Sequence, residues 1–263
     1  MKKAEIGSTL YIKELEEKII DLSLRLKSRT NELNLAREKN KKTIGKLVHN
    51  LKNPVGIIFS FSDMILEDIE DTSIDKLEKY LQVIKKSADF SIQVLNSIAK
   101  YFQLEGLDST FNFKNIDYSE LVNNVLNEFK SIAEEKGITI ERNFSGKSIF
   151  LTADRDKISL TIRNIINNSI RFSKENSKIK ITVIENLKTI ETTITDEGIG
   201  ISKTDLPNIF NAFYVVNTYS EDKQKCIGLG LTIAKEVIQH HKGKITVTST
   251  INKGTNVEMI LSK

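Results

Sequence analysis

The first 105 residues hold almost no helix breakers, and this constrains the fold more than any other feature of the chain. They contain one proline, Pro54, and three glycines. Apolar residues recur in them at alternating steps of three and four residues, which is the spacing of one face of an α-helix. This stretch therefore predicts long continuous helices.

The first apolar stripe lies near the N-terminus and has charged flanks such as Glu16, Glu17 and Lys18. A seam of this kind is typical of a coiled coil, although a helix that packs on its own domain would show it too. The all-polar remainder of the segment favours an intermolecular coil. The seam consists of Ile12, Leu15, Ile19, Leu22, Leu26, Leu33 and Ala36.

Two further apolar stripes predict a helical hairpin, with the polar segment 70–73 as its turn. One hairpin offers too little partner surface to bury both stripes, whereas two hairpins paired in a four-helix bundle would bury them. We therefore expect a homodimer. The stripes are Ile44, Leu47, Leu51, Val55, Ile58, Ser62, Ile65 and Ile69, then Leu77, Leu81, Ile84, Ala88, Leu95, Ile98 and Phe102.

The second half of the chain alternates strand-like and helix-like segments. Residues 106–112 break the helical pattern and indicate a linker before it. The alternation predicts an α/β sandwich with a mixed sheet, one face of which is covered by helices. The expected strands are 111–116, 138–143, 148–152, 178–185, 189–195, 244–250 and 256–261, and the expected helices are 118–135, a segment around 164 and 229–240.

Composition excludes several kinds of protein. A net charge of +4 is small beside 39 basic and 35 acidic residues, so nucleic acid is not an expected partner. One cysteine cannot form an internal disulfide, which fits a reducing cytoplasm. No apolar run approaches the roughly 18 residues that span a bilayer, and the first ten residues lack a secretion signal. We expect a soluble, cytoplasmic chain, which is compatible with a sensory or membrane module upstream.

Four short motifs follow one another along the chain: His49-Asn50-Leu51-Lys52-Asn53-Pro54, then segments 164–168, 196–200 and 228–231. The first offers an imidazole, and the others offer amides, a carboxylate and glycines. One short glycine motif would be weak evidence. In this order, over about residues 40–263, they resemble the core of a bacterial sensor histidine kinase of a two-component system.

The resemblance implies a domain order and a fold. The N-terminal coiled coil and helical hairpin would form a dimeric four-helix bundle, followed by a GHKL (Bergerat) α/β sandwich that binds ATP. The corresponding ranges are 1–43 for the coiled-coil signalling helix, 44–105 for the dimerisation and histidine phosphotransfer domain, 106–112 for the linker and 113–263 for the catalytic ATP-binding domain.

His49 is the expected phosphoacceptor. It lies two residues, or about 200°, from Leu47 and from Leu51, so its imidazole should face solvent on the side opposite the apolar stripe. Pro54 lacks the N–H that a helix interior needs, and it predicts a kink one turn after the histidine. A neutral imidazole is a competent nucleophile near neutral pH, because its ordinary pKa is about 6.5.

Two asparagines beside His49 are assigned by the resemblance. Kinases of this type usually carry a carboxylate where this chain has Asn50. An amide cannot supply the negative charge that stabilises a developing imidazolium, so slower autophosphorylation is expected, by on the order of ten- to a thousandfold. Asn53 matches the polar position that relatives use to place water for dephosphorylating the partner, and a plain surface role is equally open for it.

The nucleotide residues on the next two motifs are also assigned by the resemblance. Asn168 would coordinate Mg²⁺ on the ATP phosphates, Arg171 would meet a phosphate, and Asp196 would accept the exocyclic amine of adenine. Asn164 stands where related ATPases place a glutamate that activates water, which favours transfer to an acceptor over hydrolysis. Gly198 and Gly200 would let the backbone pass close beneath the base.

The last motifs would complete the pocket. Phe210 and Phe213 resemble an aromatic box beside an ATP lid at 214–227. The run Gly228-Leu229-Gly230 opens a helix whose N–H groups would face the phosphates, and Thr255 matches a position near adenine. Relatives usually carry a glycine where this chain has Cys226. His240 and His241 are interpreted as the polar end of a helix, because adjacent helix positions do not face each other.

The expected function is an ATP-dependent protein-histidine kinase that phosphorylates His49 and passes the group to an aspartate of a response-regulator receiver domain. Asn50 and Cys226 support a second hypothesis, in which the protein is a nucleotide-gated dimeric scaffold with a degenerate active site. A phosphatase-dominant regulator with weak autokinase activity is a third, and an ATP-hydrolysing clamp is a fourth.

Overall fold

The computed structural model describes residues 2–68, 73–105, 110–144, 147–216 and 226–263. The chain divides into two compact units, Met1–His49 and Asn50–Lys263. The expected linker 106–112 lies largely outside the described residues, as do most of the hairpin turn and most of the expected lid. None of the described helices is both long and apolar enough to cross a membrane.

Two long helices make up the N-terminal part, as the apolar spacing predicts. Helix α1 spans Lys2–Glu67 and continues through Pro54. The kink expected one turn after His49 stays a prediction. Helix α2 spans Ile74–Glu105, and the Ser73 carbonyl accepts the N–H groups of its first turn. Several seam residues of the first unit are 61–71% exposed in the single chain, namely Ile19, Leu22, Leu26 and Leu33.

The C-terminal half of α2 has three distinct faces. One face is buried and carries Val94, Ile98 and Tyr101. A second face is apolar but about half exposed, and it consists of Ile92, Leu95 and Phe102. The third face is polar and carries Gln93, Asn96, Ser97 and Lys100.

The rest of the chain is an α/β sandwich, which confirms the expected fold. Its main sheet is mixed, with strand order β2-β4-β5-β7-β6, in which only β2 and β4 run parallel among the described strands. Strands β1 and β3 form a separate antiparallel pair. The strands are β1 Lys114–Asp117, β2 Thr139–Asn143, β3 Phe150–Ala153, β4 Lys178–Glu185, β5 Thr189–Asp196, β6 Lys244–Thr250 and β7 Gly254–Ser262.

Helices cover one face of this sheet. Alternate residues of β4 and β5 are buried, as the period of two along a strand requires. Tyr118 lies in the core, where its hydroxyl is 2.6 Å from Thr192 Oγ1 and burial raises its pKa to about 12. The helices are α3 Tyr118–Glu128, α4 Lys130–Glu135, α5 Arg155–Phe172 and α6 Gly230–His240, with a short 3₁₀ turn at Leu206–Asn208.

His241 is buried, so its interpretation as the polar end of a helix is wrong. Its Nε2 accepts the Asp154 N–H at 3.0 Å, and its Nδ1 lies 2.8 Å from the Val237 carbonyl, to which it donates. The ring also packs against Phe113, with centroids 4.9 Å apart. Asp154 caps α5 through the N–H groups of residues 156 and 157. The imidazole therefore joins the end of α6 to the start of α5.

This arrangement predicts an acid-sensitive contribution of His241 to stability. Burial lowers the pKa of His241, so the unfolded chain takes up the proton first, from about pH 6.5 downward. The stability supplied by the neutral ring is complete above that pH and is lost as the pH falls below it. His241→Phe should cost about 1–3 kcal/mol at pH 7.5, because the buried Asp154 N–H loses its acceptor, and should weaken the loss of stability on acidification.

Urea unfolding of the wild type and of His241→Phe at pH 7.5 and pH 5 measures both effects. His240→Phe is the control, since His240 is exposed and stacks on Phe111 with centroids 4.6 Å apart. Parallel stability profiles for the wild type and His241→Phe would contradict the prediction.

Candidate functional site

Asp196 ends β5 and is the buried carboxylate of the candidate site. Its Oδ1 accepts the N–H groups of Gly198 and Thr255, each at 3.0 Å. The Ser169 hydroxyl on α5 also bonds to it, and burial is the largest influence and raises its pKa. Ser169 was not among the expected site residues, although it directly follows Asn168. These bonds fix the carboxylate in the cleft between α5 and the sheet.

Glycine is required at two positions of this cleft, Gly200 and Gly228. Gly200 has φ +70°, and a Cβ there would lie 2.1 Å from the Thr250 carbonyl oxygen. Gly228 has φ +75°, and a Cβ there would lie 2.5 Å from the Tyr214 carbonyl oxygen. Other residues rarely adopt this conformation, and neither position has space for a side chain.

Three polar residues of helix α5 also line this cleft. Asn164, Asn168 and Arg171 follow the helical spacing of one face. Asn164 Nδ2 is buried and has no hydrogen-bond partner among the described residues. Arg171 Nη2 lies 3.8 Å from Cys226 Sγ. A buried donor without a partner costs free energy, and a bound ligand would satisfy it.

Helix α6 begins beside these residues. A Cβ at Gly230 would lie 3.7 Å from Asn168 Nδ2 and equally far from Asn164 Cβ. The helix has no side-chain cap at this end, so N–H groups of its first turn are available. A helix N-terminus attracts anions through those groups and its dipole.

The elements enclose a cavity of about 460 Å³, which is within the usual size range of small-molecule sites. Its apolar wall includes Ile199, Ile201 and Val257. Most of the expected nucleotide residues line it, namely Asn164, Asn168, Arg171, Asp196, Gly200, Gly228, Leu229, Gly230 and Thr255.

Two expected nucleotide residues do not line this cavity. Gly198 lies next to it and donates its N–H to Asp196. Phe210 is half-buried, with the Lys235 ammonium 5.5 Å from its ring centroid, and the neighbouring Ile209 lines the cavity instead. Phe213, the second aromatic of this segment, is buried.

Helix α2 contributes to the cavity, which the sequence did not indicate. Four of its residues are part of the lining, namely Gln93, Asn96, Ser97 and Lys100. They occupy polar positions of a helix whose apolar pattern points only to packing. The contact depends on how α2 lies against α6, and a local pattern carries no signal for it.

The expected phosphoacceptor segment lies on α1. His49 and Asn53 are exposed, and Asn50 is half-buried. Leu47 and Leu51 are half-buried on the other side of the helix, so the expected outward direction of the imidazole is confirmed. No group of three metal-ligating side chains from His, Cys, Asp and Glu occurs in the described part of the chain.

Residues 153–263 match the family model for histidine kinase-, DNA gyrase B-, and HSP90-like ATPases. Sensor histidine kinase WalK of Bacillus subtilis is 27% identical over 226 residues, which are 85% of this chain and 37% of that protein. Sensor protein SrrB of Staphylococcus aureus is 26% identical over 259 residues, 98% of this chain and 44% of that protein. The chain thus spans less than half the length of these relatives.

Solved structures of histidine kinases share the fold. Histidine kinase ThkA, in complex with response regulator protein TrrA, superposes with a TM-score of 0.68 at 21% identity, over 88% of this chain and 66% of that chain. Residues 153–263 thus resemble the ATPase domains described by the family model, and the chain resembles sensor histidine kinases along most of its length, as the motifs predicted.

The environment of Asp196 predicts that binding and stability respond in opposite directions to one substitution. The expected role of Asp196 as acceptor of the adenine amine predicts that Asp196→Asn weakens ATP binding by roughly tenfold or more, because an amide presents a poorer acceptor. The same substitution should also stabilise the nucleotide-free protein near pH 7. Because the pKa of Asp196 is raised, its charged form opposes folding, and this penalty disappears as the pH falls toward about 4.

Thermal unfolding from pH 7.5 to pH 4 and titration with ATP measure both effects. Asp117→Asn is the matched control, since Asp117 caps α3 and hydrogen bonds lower its pKa. An advantage of Asp196→Asn that did not shrink with falling pH would contradict the explanation.

Proposed function

We propose that this chain is the kinase portion of a bacterial two-component sensor, in which His49 accepts the γ-phosphoryl group of ATP. The observation that carries the proposal is the cavity around the buried Asp196, with glycines and a helix N-terminus on its walls. The sensor kinases among the relatives support it. The exposed imidazole of His49 supplies the acceptor.

Different residues of the cavity would bind different parts of ATP. Asp196 would accept the exocyclic amine of adenine, with Thr255 beside it and the apolar residues of the cavity against the base. The N-terminus of α6 and Arg171 would face the phosphates. Asn168 would offer its amide oxygen to Mg²⁺, and the buried donor of Asn164 would gain a partner. Bound Mg²⁺ would supply charge neutralisation on the phosphates.

The transfer itself requires mainly positioning. A neutral ring nitrogen of His49 would attack the γ-phosphorus in line, forming the N–P bond as the bond to the departing ADP oxygen breaks. The ring would carry positive charge until its other nitrogen loses a proton to solvent. Asn164 has no useful basicity, so this pocket holds no base there to activate water. This favours transfer over steady hydrolysis.

We further propose that the active form is a homodimer. The exposed apolar residues of α1 and α2, and those of the coiled-coil seam, would be buried by a second copy in a four-helix bundle. The domains would be 1–43, 44–105, 106–112 and 113–263, with a cytoplasmic location. The partner receiving the phosphoryl group would be a response-regulator receiver domain, because ThkA, of similar fold, was solved with its regulator TrrA.

Two alternatives follow from a specific residue. Asn50 stands where such kinases usually carry a carboxylate, so the alternatives to the kinase are a phosphatase-dominant regulator with weak autokinase activity and a nucleotide-gated scaffold. Asn53 would serve the phosphatase by placing water. Turnover of a phosphorylated regulator without self-labelling would identify the phosphatase, and ATP binding without either activity would identify the scaffold.

Labelling with γ-³²P ATP tests the proposal. The wild type should acquire an acid-labile, base-stable label, and His49→Ala should lose it completely, because the acceptor nitrogen is gone. His240→Ala is the control, an exposed histidine on α6, and should label normally. Label that persists in His49→Ala would overturn the assignment of the acceptor.

Asn50→Glu tests the role of the residue after the acceptor. A carboxylate here would orient the ring and stabilise the imidazolium, so the initial rate of labelling should rise by about tenfold or more. Asn53→Glu, which adds the same charge one turn later, should not reproduce the gain. Equal rates for Asn50→Glu and the wild type would show that the amide does not limit the reaction.

A further inference from the structure

One polar face of α2 forms part of the wall of the cavity. Gln93, Asn96, Ser97 and Lys100 all belong to the lining. Their spacing of three, four and seven residues places them on one side of a helix. The cavity is thus built by the hairpin together with the ATP-binding domain.

The apolar packing of α2 holds this face in place. Val94, Ile98 and Tyr101 are buried on the neighbouring side of the helix, and α2 packs against α6. Helix α6 is also the element whose first residues, Gly230 and Leu231, line the cavity. The burial of α2 therefore fixes its polar face at the same cavity that the first residues of α6 line.

Charge assigns a role to Lys100. Among the described residues that line the cavity, the cations are Lys100 and Arg171, and the carboxylate is Asp196. In the proposed function, Asp196 binds the adenine end of ATP. A triphosphate carries several negative charges, of which one divalent cation and one guanidinium would balance only a part. The exposed ammonium of Lys100 on its flexible stem is suited to the remainder.

We propose that Lys100 binds the phosphates of the nucleotide, so that helix α2 of the hairpin is a structural part of the nucleotide site. The inference rests on the proposed function, since it assumes that this cavity takes ATP. It makes affinity for ATP dependent on the position of α2. By thermodynamic reciprocity, bound ATP then favours the arrangement in which α2 lies at the cavity.

Titration of the full chain with nucleotides tests the inference. Lys100→Met keeps the length of the side chain and removes its charge. It should weaken binding of the non-hydrolysable ATP analogue AMP-PNP with Mg²⁺ by about two- to tenfold, the effect of one partly exposed ion pair. Binding of adenosine, which has no phosphates, should not change. Lys100→Arg should restore most of the affinity for the analogue.

Lys86→Met is the matched control. Lys86 is an exposed residue of α2 two heptads before Lys100, on nearly the same side of the helix and about 21 Å away along its axis. Lys86→Met changes the net charge by the same amount as Lys100→Met. Its affinities for AMP-PNP and adenosine should equal those of the wild type, and the difference between the two variants should shrink at high salt.

The outcomes separate this inference from the proposed function. A selective loss of AMP-PNP binding in Lys100→Met supports the phosphate contact. Equal affinities of Lys100→Met and Lys86→Met for the analogue, with a wild type that binds it well, would overturn the inference alone. An equal loss for adenosine would also overturn it, because the effect would not come from phosphate. A wild type that binds neither ligand would overturn both.

Discussion

The packing of α5 on the five-stranded sheet is the constraint on which the site depends. The apolar side of α5 is buried, and the same turns carry Asn164, Asn168 and Arg171 into the cavity. Both ends are fixed: Asp154 caps the first turn, and the Lys136 ammonium donates to three carbonyls at the last. A helix held in this way moves as one body, so core burial sets the positions of the polar residues. The buried isoleucines are Ile158, Ile162, Ile165, Ile166 and Ile170.

Several features that cost stability lie at the cavity. Asp196 is buried with a raised pKa, Asn164 Nδ2 has no partner among the described residues, and Gly200 and Gly228 adopt positive φ. Each opposes folding or raises its entropic cost. Residues that break the rules of a stable core in one place usually serve binding there. The surrounding core offsets these costs, since its strands and helices follow the ordinary patterns.

Local patterns predicted most of the fold and the residues that act through backbone geometry. Strands β4 and β6 match the predicted ranges, and the motifs around Asp196 and Gly228 lie at the cavity as expected. Most of the failures involve contacts between distant segments. The burial of His241 depends on Asp154, 87 positions earlier in the chain. The Lys136 contact with α5 and the contribution of α2 to the cavity have the same origin. Phe210 lies in a matching motif, but its neighbour Ile209 lines the cavity in its place.

Helix α2 carries three different surfaces within a few turns, and this links the tasks of the two halves of the protein. One face is buried against the rest of the chain. A second face, around Leu95 and Phe102, is apolar and exposed, and the third is polar and lines the cavity. The surfaces lie at different angles around one rigid axis, so a rotation or shift of α2 changes all three together. Burying the apolar face against a second copy would then select among positions of Lys100. In the proposed dimer, association of the hairpin would therefore be coupled to the position of Lys100 at the cavity.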